Sequence, residues 1–150
     1  MEDSQKKTVL VVDDEEQIRE MANIFLTNNG YKVITGNNGN DLIKYAADSV
    51  DIILLDHQMP EKSGLEALAE LHQAGKSPKG KVIMTSSALN DEQKKKATAY
   101  GVVDFLPKPF VLNVVLEKIK KYVGSSNPAD ASKSELSLKP FPPAKEYFRS

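Results

Sequence analysis

Cysteine and tryptophan are both absent from the 150-residue chain, and histidine occurs only twice. Without cysteine there is no disulfide framework, no thiolate zinc site and no cysteine nucleophile. Without tryptophan, ligand binding cannot be followed by indole quenching. No apolar run approaches the roughly 18 residues of a membrane span. Residues 1–7 are polar and lead straight into an apolar run, which is not the pattern of a secretory signal, so a cytoplasmic protein is the default expectation. An excess of one charge is lacking too. Twenty basic and 21 acidic residues give a net charge of -1, which supplies no general attraction to nucleic acid or anionic lipid. A hydrophobic share of 40% is ordinary for a globular protein, and the length suits about one domain.

Hydrophobic periodicity orders the chain. Residues 8–12 (Thr-Val-Leu-Val-Val) form a short β-branched run that stops at Asp13-Asp14 and reads as a strand buried on both faces. Ile18, Met21, Ala22 and Phe25 then recur at helical spacing, with Gly30 as the stop and Asp14 with Gln17 as a capping pattern. Further strands are expected at 31–35, at 51–55 running into Asp56, at 81–84 running into Thr85-Ser86-Ser87, and at 103–106 before Pro107-Lys108-Pro109. Helices are expected from Leu42 through Ala46 onward after a turn at 37–40, around Leu65, Leu68, Ala69 and Leu71, from an Asn90 or Asp91 cap to Tyr100, and over 111–123. Strands alternating with helices on short connections predict an α/β fold: a doubly wound, five-stranded parallel sheet with helices on both faces. The composition shifts at Gly124. Residues 125–150 are rich in Ser, Pro, Ala and Lys and read as a flexible tail, or as a docking segment using Phe141-Pro142-Pro143 and Tyr147-Phe148, outside a domain spanning 1–124.

In an open parallel sheet, ligands bind beyond the carboxyl ends of the strands. Four of the expected strands deliver chemistry there: Asp13 and Asp14, Asp56, Thr85 and Ser86, and Lys108. Singly, each residue could be a helix cap, a turn opener or a solvated loop residue. Together they place carboxylates, a hydroxyl and an ammonium at one edge. Two unit charges about 4 Å apart interact by roughly 4 kcal/mol at an effective dielectric of 20, so clustered carboxylates either protonate or share a cation. Hard oxygen donors without a His or Cys cluster suit Mg²⁺, whose open positions suit phosphoryl oxygens. The loop after the first strand, Asp13-Asp14-Glu15-Glu16, has no glycine and is neither a P-loop nor a dinucleotide fingerprint.

Val-Val-Asp13-Asp14-Glu15, Leu-Leu-Asp56-His-Gln-Met59-Pro60 with Gly64 eight residues after Asp56, Ile-Met-Thr-Ser86-Ser87 and Phe105-Leu-Pro-Lys108-Pro109-Phe110 together resemble the receiver domain of two-component response regulators. The resemblance covers about residues 6 to 124. It implies the flavodoxin-like strand order 2-1-3-4-5, for which a receiver is one of the standard examples. It also implies Asp56 as phosphoacceptor from a sensor histidine kinase or histidine phosphotransfer protein. Mg²⁺ would be held by Asp13, Asp14, Asp56 and the backbone carbonyl of Gln58, and Lys108 would pair with Asp56 and then with the phosphoryl oxygens. Ser86 would donate its hydroxyl to the phosphoryl group, with Thr85 as the alternative. Phe105 would be an inward-swinging aromatic residue, or simply a core residue. A cis bond is expected at Lys108-Pro109.

The protein would then be no enzyme beyond its own phosphorylation and slow dephosphorylation. It would be a switch acting on an unknown downstream protein, with no direct nucleic-acid or membrane contact. Two alternatives differ in class: a receiver-like interaction module that is never phosphorylated, and a Mg-dependent aspartyl-phosphate hydrolase of the haloacid dehalogenase type. The hydrolase would want a second acid where Gln58 stands.

Overall fold

Alternate residues of a strand point to opposite faces of a sheet, so strands that are apolar throughout need a cover on each side. The computed structural model, which describes residues 6–45 and 49–124, supplies both covers. Among the described residues the strands are β1 (Thr8–Val12), β2 (Lys32–Gly36), β3 (Ile52–Asp56), β4 (Lys81–Ser86) and β5 (Val102–Pro107). They alternate with helices α1 (Glu16–Asn28), α2 (Gly39–Tyr45), α3 (Gly64–Gln73), α4 (Asp91–Ala99) and α5 (Leu112–Val123). All pairings are parallel, in the order β2-β1-β3-β4-β5, as expected. Val9, Val11, Ile52, Leu54 and Ile83 face one core with Phe25 and Leu26 of α1 and Leu116 and Ile119 of α5. Leu10, Val12, Ile53, Leu55 and Met84 face the other with Leu42 of α2, Leu68 and Leu71 of α3, and Ala97 of α4.

Several element ends differ from expectation for local reasons. α2 starts at Gly39, inside the expected turn, because Asn38 Oδ1 caps it by accepting from the Asp41 N–H at 3.0 Å. The Asp14–Gln17 capping pattern does not form. Glu15 is the cap residue of α1 and makes no side-chain cap bond, while Asp13 Oδ1 accepts from the Glu15 N–H at 2.9 Å. Asn90 caps α4 in a reciprocal box with Gln93, and Ser63 does the same for α3 with Glu66. Val111 is the cap residue of α5 rather than its first helical residue. The Lys108-Pro109 bond is cis, as expected. Ala46 and the segment 125–150 lie outside the described residues.

Candidate functional site

β1 and β3 are the inner strands on which the sheet turns, and their ends place Asp13 and Asp56 side by side at the strand-order reversal. Both carboxylates are buried, at 2% exposure each. Lys108, delivered by the turn after β5, lies between them. Its Nζ is 2.8 Å from Asp13 Oδ2, 3.3 Å from Asp56 Oδ1 and 3.6 Å from Glu15 Oε1. The Lys108 N–H donates to the Ser86 carbonyl at 2.9 Å, which fixes that turn against β4. Asp13 is held from below as well, since Arg19 donates to its backbone carbonyl at 2.8 Å. Gly64 must be a glycine for a spatial reason: a Cβ there would sit 2.7 Å from the Asp56 backbone carbonyl.

Charge decides the chemistry of this arrangement. Burial pushes the Asp56 carboxyl up to about 7; the Asp13 charge adds to the rise, while Lys108 opposes it. Burial would lower the Lys108 ammonium, but the hydrogen bond and charge of Asp13, followed by Asp56, outweigh it and hold its pKa above the ordinary lysine value. Carboxylate oxygens of Asp13, Asp14 and Glu15 lie within 4.8 Å of one another, a hard-oxygen group of the size a divalent cation takes. Glu15 belongs to this group although the sequence singled out only the aspartates. Asp14 and Glu15 are exposed, which leaves room for water on a bound ion.

Asp56, Lys108, Gln58 and Ser87 share a cleft of about 370 Å³ whose other wall is Glu15, Ile18, Pro109 and Phe110. Ser86 ends β4. It lines a second cavity of about 380 Å³ with Met84, Leu89 and Phe105, and its Oγ donates to the Ala88 carbonyl at 3.0 Å and accepts from the Ala88 N–H at 3.1 Å. Thr85 is the register partner of Asp56 across β3 and β4 and is buried. The structure therefore brings together Asp13, Asp14, Asp56 and Lys108, and places Ser86 and Phe105 on one cavity. Ser87 had no role in the sequence reading beyond small size. It donates to Gln58 Oε1 at 2.6 Å, a contact across 29 residues that no local pattern announces.

Residues 9–120 match the family model described as the response regulator receiver domain. The response regulator RR06 of Streptococcus pneumoniae serotype 2 is 37% identical over 118 residues, covering 77% of this chain and 52% of that protein. The transcriptional regulatory protein CpxR of Klebsiella pneumoniae is 30% identical over 119 residues, covering 79% of this chain and 50% of that protein. The chain thus spans about half the length of the curated relatives it matches. Among solved structures, the chemotaxis protein CheY4 of Vibrio cholerae superposes with a TM-score of 0.70 at 28% identity, covering 79% of this chain and 99% of that one. A CheY-like receiver domain protein of Methanospirillum hungatei gives 0.70 at 25% identity over 88% of this chain and 98% of its own.

Proposed function

Because the chain belongs to the response regulator receiver domain family, we propose that it is a phosphorylation-operated switch in two-component signalling, loaded on Asp56 by a sensor histidine kinase or histidine phosphotransfer protein. The observation that carries this reading is the buried Asp56 carboxylate with Lys108 Nζ at 3.3 Å, beside a group of hard-oxygen donors. Phosphoryl transfer asks a protein mainly for position and charge neutralisation. An Asp56 oxygen attacks phosphorus in line as the N–P bond of the donor breaks, and that bond's electron pair stays on the donor imidazole. Lys108 moves its contact from the aspartates to the phosphoryl oxygens. The donor set fits Mg²⁺, which when bound neutralises phosphoryl charge. Asp13 and Asp14 would hold it with Asp56 and the Gln58 backbone carbonyl, and Glu15, grouped with the first two, would offer an acceptor to its water.

Ser86 then leaves Ala88 for the phosphoryl group, and Phe105, at the cavity Ser86 vacates, follows it inward. The face of α4, β5 and α5 changes, and a downstream protein reads the change. On this reading the protein acts on its own aspartate rather than as a turnover enzyme, works in the cytoplasm, and confines the switch to residues 1–124. Treatment with acetyl phosphate and Mg²⁺ followed by intact mass should add one phosphoryl group, about 80 Da, to the wild type and none to Asp56→Asn. Equal gain by both would remove the proposal.

A further inference from the structure

Gln58 faces two ways. Its backbone N–H points at Asp56 Oδ1, 3.3 Å away, and its side-chain Oε1 accepts the 2.6 Å bond from Ser87 Oγ. Both residues line the cleft that holds Asp56 and Lys108. The bond therefore ties the loop after β4 to the loop after β3 along one wall of that cleft. Ser86, the residue just before Ser87, has its hydroxyl committed to Ala88 in both directions.

We infer that the Ser87–Gln58 bond is a clasp on the resting loop, and that these two side chains are positioning residues setting how readily Ser86 is delivered to the phosphoryl group. The inference rests on the phosphoacceptor reading of Asp56. For Ser86 Oγ to reach a group carried on Asp56, it must let go of Ala88, and the turn over residues 86–88 must rearrange. Ser87 is bonded to Ser86, so that rearrangement draws its Oγ away from Gln58. The clasp is thus made in the resting arrangement and broken in the loaded one. Only a contact that differs between two states can shift the balance between them. Both side chains are exposed, so water competes for the bond. A neutral hydrogen bond of ordinary net strength moves such an equilibrium by roughly twofold to tenfold.

The test uses the full chain as wild type, Ser87→Ala, Gln58→Ala, the double variant, and Ser87→Thr, which keeps the hydroxyl. The first measurement is amide hydrogen exchange at Ala88 and Leu89 without any phosphoryl analogue. Exchange should rise by about twofold to tenfold in each alanine variant and no further in the double, because both substitutions delete the same bond. Ser87→Thr should stay at the wild-type rate, and so should the β1 and β3 amides in every form. The second measurement is beryllofluoride titration with Mg²⁺, in which the alanine variants should bind tighter by the same factor. Unchanged loop exchange in Ser87→Ala, or effects that multiply in the double, would overturn the clasp. Equal beryllofluoride affinity in all forms would overturn it while leaving Asp56 as the acceptor. Failure of every form to respond to beryllofluoride would bring down the acceptor reading, and the switching role of the clasp with it.

Discussion

Asp56 carries its cost in the folded state. Burial, reinforced by Asp13, raises its carboxyl to about 7 from an ordinary value of 3.8. The folded chain therefore holds a proton that the unfolded chain releases between about pH 4 and pH 7. The stability this group contributes is fully present below about pH 4 and is lost as pH rises through 7. Asn in its place removes the titration. In metal-free buffer, Asp56→Asn should be more stable than wild type at pH 8, by on the order of 2 kcal/mol, with the gap closing towards pH 4. The lowered carboxyls of Glu66 and Asp104 work in the opposite direction, but both proteins share them, so they cancel in the difference. Urea unfolding across that range measures it, and a gap that is flat with pH would contradict the burial argument. At this scale the sequence was informative where chemistry sits at a strand end: Asp13, Asp14, Asp56 and Lys108 needed only the rule that such ends converge. The resemblance paired Lys108 with Asp56, whereas its Nζ lies nearer Asp13, and nothing announced the Ser87–Gln58 side-chain bond, because these depend on rotamers and on contacts between loops far apart in the chain.

Strand identity was legible because β1 and β3 are continuous apolar runs, and only burial on both faces explains such runs in a short segment. Boundaries slipped where a polar cap overrode the apolar period, as at Asn38 before α2. α4 is the least anchored of the long helices. Its sequence, Asp-Glu-Gln-Lys-Lys-Lys-Ala-Thr-Ala, buries Ala97 alone. It contributes little to the core, so its N-terminal box between Asn90 and Gln93 carries an unusual share of its order. Asn90→Ala should cost about 1 kcal/mol, felt as local fraying rather than loss of the sheet. Amide exchange over residues 91–99 should speed up while the β1, β3 and β4 amides keep their protection. A uniform rise across the sheet would mean that α4 is coupled to the core more tightly than its burial implies. A helix held this lightly, next to the cavity of Ser86 and Phe105, is also an element that a small movement of the loop before it can shift.

Net charge is a sum over the whole molecule and hides where the charges sit. The value of -1 is compatible with strong local asymmetry. Asp13, Asp14, Glu15 and Asp56 gather at the carboxyl ends of the strands. At the amino ends, the Lys32 N–H donates to the Lys7 carbonyl and the Lys81 N–H to the Asp51 carbonyl, which puts these three lysines at the opposite rim together with Asp51, whose carboxylate accepts from the Thr8 N–H at 2.7 Å. Composition alone cannot distinguish this arrangement from an even scatter. The last described turn is likewise held by packing. Ile119 of α5 is fully buried, Tyr122 and Val123 pack partly against the same core, and Tyr31 Oη donates to the Gly124 carbonyl at 3.1 Å, so the last turn of α5 is tied to the start of β2. Every core residue among the described residues comes before that bond. Removing residues 125–150 while keeping Gly124 should therefore shift the melting temperature by less than about 3 °C and leave beryllofluoride affinity unchanged. A drop of many degrees would mean that the segment packs on the fold. An unchanged fold with weakened binding of a downstream partner would assign it to docking, with Phe141 and Tyr147–Phe148 as the first side chains to truncate.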